Sequence, residues 1–319
     1  MPVAVGPNDR LARNSKAQGM RTILLTMCAL LAFAGNSILC RLALGDELID
    51  AASFTWIRLL SGIVILAVAL RLKQASSNAG ATHEAASEAA SEAAKGSWKA
   101  SLMLFVYAIC FSLAYVSLDT GVGALILFAM VQLTMIIVGL HKGNRFHWIE
   151  WLGVLVAFSG LVYLVLPGLS APPVVGAMLM SLAGVAWGFY TLAGQGSSNP
   201  LRDTAYNFAR TWPLLFMLML FSLYQSSMSS EGILLAVVSG GLTSGLGYTI
   251  WYMALGGLSA IQAAVLQLLV PVIAALGGVV FVNEAMTLRL LLASLLILGG
   301  ILTVIVGKQI HFRQTSRTV

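Results

Sequence analysis

Residues 251–272 read WYMALGGLSAIQAAVLQLLVPV, and residues 114–135 read AYVSLDTGVGALILFAMVQLTM. At an offset of 137, Tyr115 meets Tyr252 and Leu118 meets Leu255, and each stretch passes through a short Gly-containing turn into a long apolar run. Two more segments repeat. FSGLVYLV (158–165) matches LGGILTVI (298–305) at an offset of 140. SFTWIRLL (53–60) matches AYNFARTW (205–212) at an offset of 152, which lays Arg58 over Arg210. The chain therefore reads as two related halves.

The apolar runs around these repeats are about 20 residues long, enough for a helix to cross a hydrocarbon core about 30 Å thick. They fall at 20–40, 51–70, 98–117, 121–140, 148–167, 173–194, 203–223, 232–254, 258–280 and 286–307. Only 9% of the 319 residues are charged and 59% are hydrophobic, too few charges to cover a soluble core of this size. No short alternating segments of the barrel type occur. The expected fold is all-α: a polytopic membrane protein of ten transmembrane helices. Five helices per half is an odd number, so the second half enters the membrane inverted relative to the first. Inverted repeats characterise transporters, with a substrate site near the midplane between the halves.

The expected units are an N-terminal tail (1–19), a first repeat (20–167) with a flexible loop at 74–97, a second repeat (173–307) and a C-terminal tail (308–319). The loop, QASSNAGATHEAASEAASEAAKGS, has no apolar face to bury and reads as a solvated linker. With ten spans, one side of the membrane receives fourteen Lys and Arg, the other only Arg41 and Arg289, and Arg58 and Arg210 fall within spans. This asymmetry places both termini in the cytoplasm, as for a bacterial inner-membrane protein. The run from Thr22 to Cys40 follows Arg10, Arg13, Lys16 and Arg21 but lacks a small-x-small cleavage site, so it reads as a retained first span.

Candidate cargo contacts are the polar and aromatic side chains away from span ends. Tyr248, Trp251 and Tyr252 share one face of the eighth span by their i, i+3, i+4 spacing. Phe111 and Tyr115 form the equivalent face of the third span, which Tyr107 extends by one turn. Trp187 and Tyr190 pair in the sixth span, and Phe33 and Asn36 in the first. Each face reads as cavity lining or as helix packing. Asn36, Gln132, Gln262 and Gln267 are amides that hydrocarbon obliges to find partners. Pro271 leaves the Gln267 carbonyl without its helical donor, and Pro213 does the same to Ala209, so both prolines read as hinges or as static bends. Arg58 and Arg210 lie within about two turns of span ends by spacing. They read first as snorkelling anchors, with a gate ion pair as the other reading. Gly184-x-x-x-Gly188 and Gly241-x-x-x-Gly245 read as helix-packing motifs.

NEAMTLRLLLASLLILGGILTVI (283–305) resembles the closing segment of an EamA-type repeat of the drug/metabolite transporter superfamily. Glu284 at the mouth of the last helix and the Gly299–Gly300 pair carry the resemblance, with Arg58 and Arg210 in the second helix of each repeat. The first half departs from it, with Asn144 in place of the usual Glu. The resemblance spans about residues 20–307 and is strongest to bacterial exporters of aromatic and other neutral amino acids. It implies alternating access around a central cavity bordered by the first, third, sixth and eighth spans, and a gate or structural role for Glu284.

The expected cargo is a neutral or zwitterionic small molecule, because no cluster of cations or carboxylates falls at the midplane. Export of hydrophobic drugs, cations or purines is the alternative, and a non-transporting membrane scaffold is the remaining reading. No enzyme is expected, since all four histidines lie outside span interiors. Cys28, Cys40 and Cys110 show no metal spacing, so neither metal nor cofactor is expected. The partners are the substrate and the lipid bilayer, not nucleic acid. Monomer and homodimer both remain open.

Overall fold

The structure is a computed structural model. It describes residues 7–78, 96–143, 147–166, 168, 171–195, 197–222, 227–258 and 260–315. Asn144 and most of the expected linker lie outside the described residues. The first helices are α1 (Pro7–Gly45), α2 (Ala51–Asn78), α3 (Trp98–Tyr115), α4 (Thr120–His141), α5 (Trp148–Val165) and α6 (Val174–Gly194). There follow α7 (Pro200–Arg210), α8 (Trp212–Ser222), α9 (Ser230–Val238), a π-helical segment (Ser239–Leu246), α10 (Gly247–Leu255), α11 (Ala260–Gln267), α12 (Leu269–Phe281) and α13 (Leu288–Thr315). Helix extends into both expected tails, and α2 runs past residue 74 into the expected linker.

Among the described residues, nine helical stretches are long and apolar enough to cross a membrane, and Trp212–Ser222 is a shorter apolar helix. The short helix stands where the seventh span was expected. That span is split at Thr211, whose hydroxyl donates to the Phe208 carbonyl at 2.7 Å. Pro213 cannot donate to Ala209, so the ladder is already broken at this point. The N-terminal piece, PLRDTAYNFAR, is polar, with Asn199 capping it and Pro200 in its first turn.

The eighth and ninth spans are also irregular. SGGLTSGL (239–246) is weak in helix propensity and adopts a π-helical register between α9 and α10. The ninth span breaks at Leu268, whose amide bonds to the Val265 carbonyl at 3.1 Å, just before Pro271. Elsewhere side chains set the helix starts. Ser97 Oγ accepts from the Ala100 amide, Ser229 Oγ from the Gly232 amide, and Glu150 from the His147 amide.

Small residues bring the spans together. A Cβ at Gly153 would lie 2.6 Å from the Gly300 carbonyl oxygen, which clamps α5 to α13. Gly184 and Gly188 admit the α4 backbone near Leu127 and Val131 to α6. Gly299 has open space around it, so only one residue of that pair is used. The fourth span is the most buried, at 61% of its apolar window, against 33% for the fifth. Thus α4 runs through the middle of the bundle. Leu155, Phe158 and Val162 of α5 face outward, as in a helix wetted by lipid.

Candidate functional site

A cavity of about 830 Å³ opens at one end of the bundle, beside the exposed Gln195 and Gly256. Gly257 of the same turn packs on Thr22, so the mouth lies at the end where the first span begins. Its walls include Phe33, Trp187, Tyr248, Trp251, Tyr252 and Gln267. These side chains come from four different spans, and no two-helix motif would bring them together. The rings of Phe33, Trp187, Tyr248 and Trp251 make one continuous cluster. Phe33 lies 5.8 Å from both Tyr248 and Trp251, and Trp187 lies 4.8 Å from both Tyr107 and Tyr248.

Deeper in the bundle, a small cavity of about 20 Å³ shares Phe33, Trp187 and Tyr248 with the large one. Asn36, Ser37, Tyr107, Phe111 and Phe128 complete its polar and aromatic lining. The Tyr107 hydroxyl oxygen accepts from Asn36 Nδ2 at 3.2 Å and from Arg58 Nη2 at 3.0 Å. Asn36 Oδ1 accepts in turn from the Ser239 hydroxyl at 2.7 Å, and Thr243 Oγ1 stands 3.2 Å away. Arg58 Nε donates to Ser244 Oγ at 3.3 Å. Three hydroxyls of the π-helical segment therefore face the first and second spans. A Cβ at Gly240 would collide with the Arg58 carbonyl, so glycine is what lets this segment lie against α2.

Arg58 does not anchor a helix end, as its spacing had suggested. It is 1% exposed. Its guanidinium carbon stands 4.9 Å from the Phe111 ring centre and 5.3 Å from that of Tyr107. A cation within a span costs about 2.5–3.5 kcal/mol on insertion scales. A desolvated cation–π contact contributes about 2 kcal/mol. Two rings and two neutral hydrogen bonds thus offset the cost of burial, but none of them cancels the charge. Its paired position behaves differently. Arg210 is partly exposed and stacks near Trp98 and Tyr206, at 5.8 and 5.7 Å.

The far end of the bundle is closed. Glu284 accepts from the Thr120 amide at 2.9 Å and from its hydroxyl at 3.0 Å, so a carboxylate caps the N-terminus of α4. Arg41 Nε lies 3.3 Å from the same carboxylate, and Arg41 Nη1 donates to the Tyr115 and Val116 carbonyls. Asn283, with φ of 57°, turns the chain so that Glu284 faces back onto α4. Beside this lock, Asp50 and Ser229 make backbone bonds that tie the α1–α2 turn to the segment before α9.

The sequence-derived candidates thus divide. Phe33, Trp187, Tyr248, Trp251, Tyr252 and Gln267 line the large cavity, and Asn36 and Phe111 line the small one. Tyr115 is fully buried and donates to the Thr120 carbonyl, away from both. Tyr190 stacks on Trp187 at 5.2 Å behind the wall. Gln132 is buried, with Nε2 lacking a partner among the described residues, and lines neither cavity. Sequence spacing placed Tyr107 on the Phe111 face but did not single out Ser239, Thr243 or Ser244, and gave no sign that Arg41 meets Glu284. The available signal for the three hydroxyls was a hydroxyl-rich glycine segment within an apolar span.

An all-helical bundle of membrane-length apolar helices around an aromatic cavity open at one end defines a membrane transporter. Residues 174–306 match the EamA-like transporter family. An uncharacterized protein of Pseudomonas aeruginosa is 48% identical over 281 residues, covering 88% of this chain and 93% of its own. An uncharacterized transporter of Archaeoglobus fulgidus is 27% identical over 208 residues, covering 63% of this chain and 73% of its own. A solved crystal structure shares the fold, with a TM-score of 0.57 and 16% identity over 89% of this chain and 96% of its own. The chain belongs to the EamA-like transporter family.

Proposed function

We propose that this transporter exports neutral amino acids, aromatic ones included, or related small metabolites across a bacterial inner membrane. The observation that carries this reading is the aromatic cavity of about 830 Å³, open beside Gln195 and Gly256 and closed at the far end by Arg41 and Glu284. Ring faces supply apolar contact for a side chain, and Asn36, Tyr107 and Gln267 supply the few polar contacts that orient it. The proposed cycle is alternating access: five-helix halves 20–167 and 173–307, inverted with respect to each other, rock about the site. The Lys and Arg asymmetry supports cytoplasmic termini, which makes the open mouth cytoplasmic and suits uptake of cargo for export. Purified protein in liposomes, offered a panel of radiolabelled amino acids, tests the reading. Counterflow of at least one neutral amino acid is expected, and absence of counterflow for every member overturns it.

A further inference from the structure

We propose that Arg58 is the counter-charge for a carboxylate on the cargo, so that a free carboxylate is what the site selects. This inference rests on the transporter reading above and names the chemical class of its substrate. Every carboxylate of the described residues near the bundle lies at a span end or in a turn. Glu284, for example, is taken up by Arg41 and Thr120. Among the described residues, the guanidinium of Arg58 meets a phenol, an alcohol and two aromatic rings, all neutral. Its Nη1 is buried and has no partner among the described residues. A membrane-buried cation held only by neutral groups, with one donor idle, is a site that an anion completes.

The geometry also supplies a route. Tyr107 and Phe111 touch Arg58 and line the small cavity, which is continuous in its walls with the large one. That head, at about 20 Å³, holds about one water. A carboxylate therefore enters by displacing the Tyr107 hydroxyl from Nη2. Nη1 and Nη2 together then offer the parallel pair of donors that a carboxylate accepts bidentately. Asn36 and the released Tyr107 hydroxyl remain beside it, while the cargo side chain stays among Phe33, Trp187 and Tyr248. Binding trades a neutral bond for a charge-assisted one, and the bond it breaks joins the second span to the third. Cargo and a change in helix contacts are thereby linked.

The test varies ligand charge on the intact protein in nanodiscs, followed by calorimetry, and in liposomes, followed by counterflow. The probes are L-phenylalanine, L-phenylalaninamide and 3-phenylpropionate, with L-leucine and L-leucinamide as an aliphatic pair. The acids are expected to bind about tenfold or more tightly than the amides, since a charge-assisted bond replaces a neutral one at Arg58. Equal binding of acid and amide, or of none of these probes, overturns the inference. Carboxylate-selective binding here, with no counterflow of any neutral amino acid in the full panel, overturns the amino acid export reading and leaves this inference standing. Arg58→Lys is expected to keep the preference for acids with weaker binding, and Arg58→Gln to abolish it. If Arg58→Gln runs as a monodisperse folded protein and still prefers acids, Arg58 only clamps α2 to the π-helical segment. Should that variant fail to fold, the ligand series on the unaltered protein decides alone.

Discussion

Arg41 and Glu284 are 243 positions apart in the chain, yet Arg41 Nε lies 3.3 Å from the Glu284 carboxylate. This contact joins the first span to the turn before the last and sits on the N-terminus of α4, the most buried helix. It closes the end of the bundle opposite the cavity mouth. Cys40, next to Arg41, is fully buried in this arrangement. In protein with Cys28 and Cys110 replaced by Ala, Glu284→Gln or Arg41→Gln is expected to expose Cys40 to a membrane-impermeant maleimide. Loss of about 1.4 kcal/mol from the closed end would raise the labelling rate about tenfold. Unchanged protection of Cys40 would show that the pair does not hold that end shut.

Two glycine pairs make opposite predictions for neighbouring positions. Gly240→Ala places a methyl against the Arg58 carbonyl and Ser61 Oγ, whereas Gly241 has nothing closer than 3.9 Å. Likewise Gly300 abuts the Ala157 amide and the Gly153 carbonyl, while Gly299 is open. Overpacking costs about 1–3 kcal/mol, so Gly240→Ala and Gly300→Ala should lower the melting temperature in detergent. Gly241→Ala and Gly299→Ala should leave it unchanged or slightly raised, because alanine favours helix. Thermal melts of the four proteins side by side check the order.

The aromatic walls should separate by position. Trp187 touches Tyr107, Tyr190 and Tyr248, and Tyr252 stands nearer the mouth. Trp187→Ala is expected to raise the KM for counterflow about tenfold or more, and Tyr252→Ala by a smaller factor. Tyr115→Phe removes the bond to the Thr120 carbonyl from a residue that lines neither cavity. It should cost about 1 kcal/mol of stability and leave the KM alone. Unchanged transport in Trp187→Ala would take this ring out of the proposed site.

Pro271 gives the ninth span its break after Gln267, a cavity-lining residue. Pro271→Ala restores a donor for the Gln267 carbonyl and should straighten the span. If the break is a hinge, turnover falls while cargo binding stays. If it is a static bend, both stay. Counterflow rates measured against calorimetric affinity on the same preparation distinguish the two.

Much of this protein could be read in one dimension. Runs of about 20 apolar residues with few charges leave the backbone no choice but helix, because hydrocarbon offers no other partner for its amides. The i, i+3, i+4 spacing likewise put Tyr248, Trp251 and Tyr252 on one face before any neighbour was known. Helical periodicity is local, so it survives without tertiary information. The seventh span shows the limit: Pro213 marked a weak point, but the split at Thr211 and the polar first half of that span emerged only with the fold.

What the sequence by itself determined was the class of molecule, the helix positions and the faces that carry rings. The tertiary structure decided which polar groups meet. Arg58 has a similar distance from a span end as Arg210, yet one is enclosed by Tyr107, Phe111 and Ser244 and the other stacks at the rim. Glu284 had two arginines within spans to choose from and instead pairs with Arg41, at the foot of α4. Spacing along a chain fixes direction around one helix axis. A charge in a low-dielectric bundle is governed by what lies within about 4–6 Å across several axes, and that is set only when the helices pack.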